Sequence, residues 1–180
     1  MVYVYRKKLP FLRTVDVLAS STMIGLAFGR VGCFLNSCCY GKPVSWGVEF
    51  PANEHTFAYS ATPDGVHTFA PGTPLHPTQL YMSASALIIF GILTYVFYHR
   101  RREGEVLFFL GLLYPIARFV NEMFRADTAD PSGLTTSQGI GIAVFCAAIG
   151  YGVWLYTRGK RAKPLAAVAG NEKGESARAP

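Results

Sequence analysis

Apolar residues in this chain gather into four long runs separated by short polar connections. Leu80 to Tyr98 and Gly139 to Thr157 contain no charged residue, and each is 19 residues long. That is close to the ~20 residues a helix needs to cross a hydrocarbon core. Val17 to Gly41 is interrupted only by Arg30, and Val106 to Phe124 only by Arg118 and Glu122. The pattern predicts four membrane spans, at about 15–39, 78–98, 106–124 and 139–157. Helices buried in a soluble domain would still show a polar stripe at helical spacing. Leu80–Tyr98 and Gly139–Thr157 offer only Ser, Thr, Gly and Tyr for one. The expected fold class is an all-α integral membrane protein.

The connections carry their own signals. Gly29, Gly32, Asn36 and Gly41 weaken a straight helix at the end of span one. A broken or re-entrant end is expected there, which a membrane tolerates where protein or water covers the freed backbone. In the segment that follows, Val44, Trp46, Val48 and Phe50 alternate with Ser45, Gly47 and Glu49. This period of two predicts a short strand or one arm of a hairpin within a small head on the outer face, about 42–75. Pro77 suits the first turn of span two, and Thr135 or Ser137 is placed to cap span four. Arg100–Glu105 reads as a tight turn. Leu165–Pro180 is small, polar and low in complexity, the composition of a disordered tail. Residues 1–164 are then expected to form one transmembrane domain.

Composition agrees: hydrophobic residues make up 51% and charged residues 16%, against about 25% charged in soluble proteins. The net charge of +6 matters less than its placement. Arg6, Lys7, Lys8 and Arg13 precede span one, Arg100, Arg101 and Arg102 follow span two, and Arg158, Lys160, Arg161 and Lys163 follow span four. The 33 residues from Lys42 to Pro74 hold a single Lys against Glu49, Glu54 and Asp64, and Ala126–Gln138 has no Lys or Arg. The positive-inside rule puts both termini in the cytoplasm and the head outside. An even number of spans agrees with that. Short basic clusters abutting apolar spans are topology signals, so no nucleic-acid partner is expected. Met1–Tyr5 is too short for a signal-peptide core and precedes its positive charges. Val2–Tyr5 followed by Arg6-Lys7-Lys8 reads either as the last turn of a further, upstream span or as a plain polar start.

Span three holds the most chemistry. On a helix, Tyr114, Arg118, Glu122 and Arg125 fall within an arc of about 80°, with Asn121 at its border. An arginine at bilayer centre costs about 2.5–3.5 kcal/mol, so such a stripe needs a reason. Arg118 and Glu122, four residues apart, can neutralise each other, and Arg125 at the helix end can snorkel to the interface. Arg30 lies near the end of span one, and Gly29 and Gly32 beside it permit close approach of a backbone or ligand. It too reads as either a snorkelling or a binding residue. Arginines gathered toward one leaflet favour an anionic ligand, because the guanidinium fork matches phosphate oxygens and stays charged when dehydrated. In the outer half of a membrane that phosphate belongs to a lipid headgroup. His76 at the mouth of span two is a candidate base, imidazole being the group that changes charge near neutral pH, or else a cap. His55 and His67 have no ligand spacing around them. Cys33 and Cys38 stand as C-x4-C with no second pair, so no zinc site is expected. A Cys38–Cys39 bridge would be strained, adjacent Cα atoms lying ~3.8 Å apart. Cys33 with Cys38 or Cys39 is compatible with a disulfide in an oxidising compartment or with small buried residues. Cys146 reads as core.

These motifs coincide with one family. Gly29-Arg30-Val31-Gly32-Cys33-Phe34-Leu35-Asn36, His76-Pro77-Thr78-Gln79-Leu80-Tyr81, the run Tyr114–Arg125, and Leu134-Thr135 with Gln138 fall in the order seen in prolipoprotein diacylglyceryl transferases. The chain resembles that family from Asp16 to about Tyr156. The resemblance implies a multi-pass enzyme of the bacterial cytoplasmic (inner) membrane, needing no cofactor or metal. Such an enzyme moves the diacylglyceryl group of phosphatidylglycerol to the lipobox cysteine of a prolipoprotein signal peptide. It implies Arg118, Glu122 and His76 as catalytic residues, and Arg30, Asn36, Gln79, Tyr81, Tyr114 and Arg125 as substrate-binding ones. Departures are Cys33 for an asparagine, Cys38 and Met82 where glutamate is usual, and Pro115 for glycine. The family's pattern also places helices with a histidine-glycine-glycine motif ahead of the matched segment. The expectation is therefore a shortened form of the enzyme or a diverged relative that binds anionic phospholipid without turnover. A membrane thiol-redox protein built on Cys33, Cys38 and Cys39 is the remaining alternative.

Overall fold

A computed structural model describes residues 6, 10–50, 72–125 and 135–158, and the backbone alone of 59–62 and 65–68. The elements in chain order are α1 (Phe11–Leu35), β1 (Pro43–Glu49), β2 (Tyr59–Thr62), β3 (Gly65–Thr68), β4 (Pro74–Leu75), α2 (Thr78–His99), α3 (Glu105–Glu122) and α4 (Thr136–Arg158). The protein is an all-α membrane protein with small strands at one end. Helices α1, α2 and α4 are long and apolar enough to cross a membrane. Helix α3, with 18 residues and the charges Glu105, Arg118 and Glu122, packs against all three of the others. Long apolar side chains such as Phe28, Ile88, Tyr95, Ile140 and Val153 point outward, as lipid contact requires and water would not favour.

The core lies where α1, α2 and α3 meet. Ala19 and Met23 of α1, Ile89 and Leu93 of α2 and Val106 of α3 are buried together, with Leu113, Tyr114 and Ala117 packed against them. Small residues let α1 and α2 approach: Ala19, Ala27, Ser83 and Ala86 are all buried. The Ser83 hydroxyl donates across the interface to the Ala27 carbonyl at 3.0 Å, a polar tie favoured between membrane helices.

The short turn between α2 and α3 is fastened to α1 by Asp16. Its carboxylate, fully buried, accepts from Arg100 Nη1 at 2.9 Å, Gly104 N at 2.8 Å and Leu107 N at 3.2 Å. Gly104 has φ of +96°, a conformation that side chains other than glycine's resist. Asp16 therefore caps the open N–H groups at the start of α3. Arg102 donates to Leu155 O at 3.0 Å, so two of the three turn arginines also hold the bundle together.

At the opposite, head end, the chain departs from the expected boundaries. Helix α1 stops at Leu35, not near Cys39. Asn36 N–H bonds Gly32 O and Ser37 N–H bonds Phe34 O, and Ser37 (φ 52°) and Cys39 (φ 65°) turn left-handed. The broken end is thus a tight turn. Helix α3 ends at Glu122, leaving Phe124 and Arg125 in the following turn. Helix α4 begins at Thr136 because Thr135 and Gln138 form a reciprocal cap: Gln138 N–H bonds Thr135 Oγ1 at 3.2 Å and Thr135 N–H bonds Gln138 Oε1 at 3.0 Å. Thr135, not Ser137, is the cap. The predicted strand is β1, paired antiparallel with β4 (Val48↔Leu75, Glu49↔Pro74). A second hairpin, β2–β3 (Tyr59↔Thr68, Thr62↔Gly65), had no counterpart in the sequence pattern. Met1–Tyr5, His55 and the Leu165–Pro180 tail lie outside the described residues.

Candidate functional site

Three chain segments are stitched together at the head end around Gly41. Gly41 N–H bonds His76 O at 2.9 Å, Lys42 N–H bonds Phe124 O at 2.8 Å, and His76 N–H bonds Lys42 O at 3.0 Å. A Cβ on Gly41 would strike Phe124 O and come within 2.7 Å of His76 Cβ and Thr78 Cγ2, so this crossing needs a glycine. The start of α2 is held by the same turn: Thr78 Oγ1 donates to Cys39 O and Gln79 Nε2 to Cys38 O, each at 2.7 Å. Asn121 Nδ2 donates to Thr78 O at 3.2 Å, tying α3 to α2.

Glu122 is the centre of the charged cluster. It is buried, with Arg118 Nη2 at 3.0 Å and Arg125 Nε at 4.0 Å from Oε2. The Arg118 contact is an ion pair whose angle gives no hydrogen bond. Thr135 Oγ1 donates to Glu122 Oε1 at 3.3 Å. Arg118 Nη2 also donates to Ser137 Oγ at 3.2 Å. One carboxylate thus faces two guanidiniums. The buried Arg118 Nη1 has no acceptor among the described residues. A buried guanidinium N–H without an acceptor is unfavourable, and an anion would satisfy it. Arg125 turns inward to Glu122, its side chain only 12% exposed, and so does not snorkel.

Beside this cluster, His76 Nδ1 lies 3.1 Å from Tyr81 Oη, ringed by Trp46, Tyr81 and Phe124 at centroid distances of 5.0, 6.0 and 5.3 Å. These residues, with Ser85 and Asn121, line a cavity of about 490 Å³. An apolar groove of about 200 Å³ runs between α3 and α4 past Pro115, Phe119, Gly141 and Phe145.

The structure therefore brings Arg118, Glu122 and Arg125 together, and separately His76 and Tyr81. Gln79 is buried and fixes the Cys38 carbonyl. Tyr114 packs on the core. Arg30 is half-buried on α1, with no ion pair among the described residues, and Asn36 is exposed at the α1 terminus. No described contact joins either to Arg118. Sequence reading gave Trp46 no site role, placed Thr78 and Thr135 in the family motifs without a contact, and offered Ser137 only as an alternative cap. The cysteines are free thiols in this structure. Cys38 donates to Cys33 O at 3.5 Å, and burial, then the neighbouring Cys39 thiol, pushes its pKa up to about 11.

The fold and site define a polytopic membrane protein with a buried, arginine-rich polar cluster at its head end. The family model for prolipoprotein diacylglyceryl transferase matches residues 1–154, and the chain belongs to that family. The phosphatidylglycerol–prolipoprotein diacylglyceryl transferase of Clostridium tetani is 32% identical over 144 residues, covering 78% of this chain and 53% of the relative. Its counterpart in Clostridium botulinum is 34% identical over 143 residues (78% and 53%). That of Azospirillum brasilense is 29% identical over 170 residues (89% and 57%). The chain spans about half the length of the curated relatives it matches.

Proposed function

We propose that this protein acts in the transfer of the sn-1,2-diacylglyceryl group from phosphatidylglycerol to the lipobox cysteine of a prolipoprotein, in the bacterial cytoplasmic membrane with both termini inside. Sulfur bonds to the terminal glyceryl carbon, and the bond from that carbon to the phosphate oxygen breaks. The electron pair departs with glycerol phosphate, and the thiol proton passes to a base, for which His76 is our candidate. The observation that carries this reading is the unsatisfied Nη1 of buried Arg118 beside Glu122. A fixed donor aimed where negative charge grows on the leaving phosphate lowers the barrier without reorganisation. Glu122, Thr135 and Ser137 hold that fork in place. Arg30, which has no described anionic partner, supplies a second phosphate contact. Arg125 and Tyr114 help to orient the headgroup, while Asn36, Gln79 and Tyr81 complete the substrate site. The prolipoprotein signal peptide enters from the membrane.

The test is transfer from phosphatidylglycerol vesicles to a lipobox peptide, together with rescue of cells depleted of the transferase. Arg118→Lys and Arg30→Lys keep the charge but lose the bidentate fork; each is expected to lose on the order of 100-fold in rate. Full activity of both variants would sink the phosphate assignment. A stable, membrane-inserted wild type that binds phosphatidylglycerol yet transfers nothing would identify a lipid-binding relative instead.

A further inference from the structure

Asn121 has a hydrogen-bonding defect that the charged cluster does not explain. Its amide N–H bonds Thr78 O at 3.2 Å. A carbonyl can only accept, so this fixes which end of the amide faces which way. The other end, Oδ1, is left buried with no donor among the described residues, on a side chain that is 6% exposed. Asn121 lines the cavity that also contains Trp46, His76, Tyr81, Ser85 and Phe124. Among the described residues, no Asp, Glu, Lys or Arg side chain lines it. The polar residues along it are Asn121, Tyr81, His76 and Ser85, and the Ser85 hydroxyl already donates to Tyr81 O at 2.8 Å and so has acceptor capacity left. The walls between them are aromatic. Such a cavity suits a small, uncharged ligand that donates hydrogen bonds and offers C–H faces to rings.

Its position sharpens this. Arg118 and Asn121 are three residues apart on α3, and such residues are neighbours on a helix surface, about 5–6 Å between Cβ atoms. A phosphodiester on Arg118 would therefore extend its substituent toward Asn121.

We propose that this cavity reads the free glycerol of the phosphatidylglycerol headgroup, Asn121 Oδ1 and Tyr81 Oη binding its two hydroxyls, so that Asn121, Tyr81 and Trp46 select the lipid donor. The inference rests on the phosphate assignment above and deepens it.

The experiment compares phosphatidylglycerol with phosphatidylethanol, which has the same phosphodiester and no headgroup hydroxyl, and with phosphatidylethanolamine. The chain has two tryptophans, Trp46 and Trp154, and Trp154 is exposed. Trp154→Phe therefore makes Trp46 a sole reporter in phosphatidylcholine nanodiscs. Phosphatidylglycerol is expected to shift Trp46 emission at a mole fraction at least tenfold lower than either other lipid. The leaving groups glycerol phosphate and ethyl phosphate are chemically alike, so any transfer preference between the two donors reports recognition; at least tenfold in kcat/KM is expected. Asn121→Leu, and the milder Tyr81→Phe should Asn121→Leu fail to fold, are expected to reduce both preferences below threefold. Equal responses to phosphatidylglycerol and phosphatidylethanol overturn the proposal even if transfer proceeds, leaving the transferase reading intact. A Trp46 preference for phosphatidylglycerol without any transfer supports the cavity assignment and sinks the transferase reading. A Trp46 response to phosphatidylethanolamine or to a lipobox peptide alone, with none to phosphatidylglycerol, overturns the glycerol assignment in favour of an ammonium or peptide site.

Discussion

Asp16 is the side chain that fastens the α2–α3 turn to α1, through Arg100, Gly104 and Leu107. Removing its charge leaves Arg100 buried beside a neutral amide, and the new NH2 faces either the Leu107 N–H or the donors of Gly104 and Arg100, depending on which oxygen it replaces. Losing one member of a buried ion pair costs roughly 3–5 kcal/mol. Asp16→Asn is expected to lose about that much in a reversible detergent unfolding titration, and an unchanged midpoint would show that the turn holds itself. Only the family resemblance singled Asp16 out, since Arg100 and Leu107 lie 84 and 91 residues away. Arg118 with Glu122 was legible because both partners share one helical face. A second prediction concerns Cys38. A thiol raised to about 11 stays protonated at neutral pH, and the thiolate is the reactive form. With Cys33, Cys39 and Cys146 replaced by serine, burial of Cys38 remains. Its alkylation rate should keep climbing beyond pH 9, where an ordinary thiol of pKa about 8.5 levels off. A plateau below pH 9 would revive the redox alternative.

Among the elements, the head-end crossing carries the site. The apolar runs marked all four helices within a few residues, because a membrane span is written in continuous apolar length. Their ends were harder to read: the stop after Leu35 depends on left-handed Ser37 and Cys39 and on Thr78 and Gln79 binding the Cys39 and Cys38 carbonyls. None of that is a local signal. The cavity was hidden for the same reason, since Trp46, His76 and Asn121 belong to β1, the lead into α2, and α3. Gly41 tests the crossing directly. Gly41→Ala forces a methyl against three neighbours and is expected to cost about 1–3 kcal/mol and to weaken the Trp46 response. Gly25→Ala, in a helix position with open space around it, is expected to be neutral or to stabilise by about 0.5–1 kcal/mol. Equal effects of the two substitutions would remove the crossing from the account.

For the whole molecule, orientation decides whether the proposed chemistry is reachable. The helices alternate in direction: Asp16 of α1 meets the α2–α3 turn at one end, and Ala27 meets Ser83 nearer the other. The Arg118–Glu122 cluster, His76 and β1 therefore share the head end, and Arg100–Arg102 mark the opposite one. The positive-inside rule assigns the arginine-bearing end to the cytoplasm. That orientation is our proposal; Arg100 and Arg102 are tied to Asp16 and Leu155, but insertion reads charge before packing forms. The transfer proposed above needs the acceptor thiol at the head end, where a phosphate on Arg118 would sit. The check is a pair of single-cysteine chains in spheroplasts, with the native cysteines replaced by serine. Ser45→Cys, on exposed β1, should react with a membrane-impermeant maleimide in intact spheroplasts. Glu103→Cys, in the α2–α3 turn, should react only after permeabilisation. The reverse pattern would place the charged cluster in the inner leaflet, out of reach of the lipobox thiol, and would exclude the transfer reaction whatever lipid the site binds.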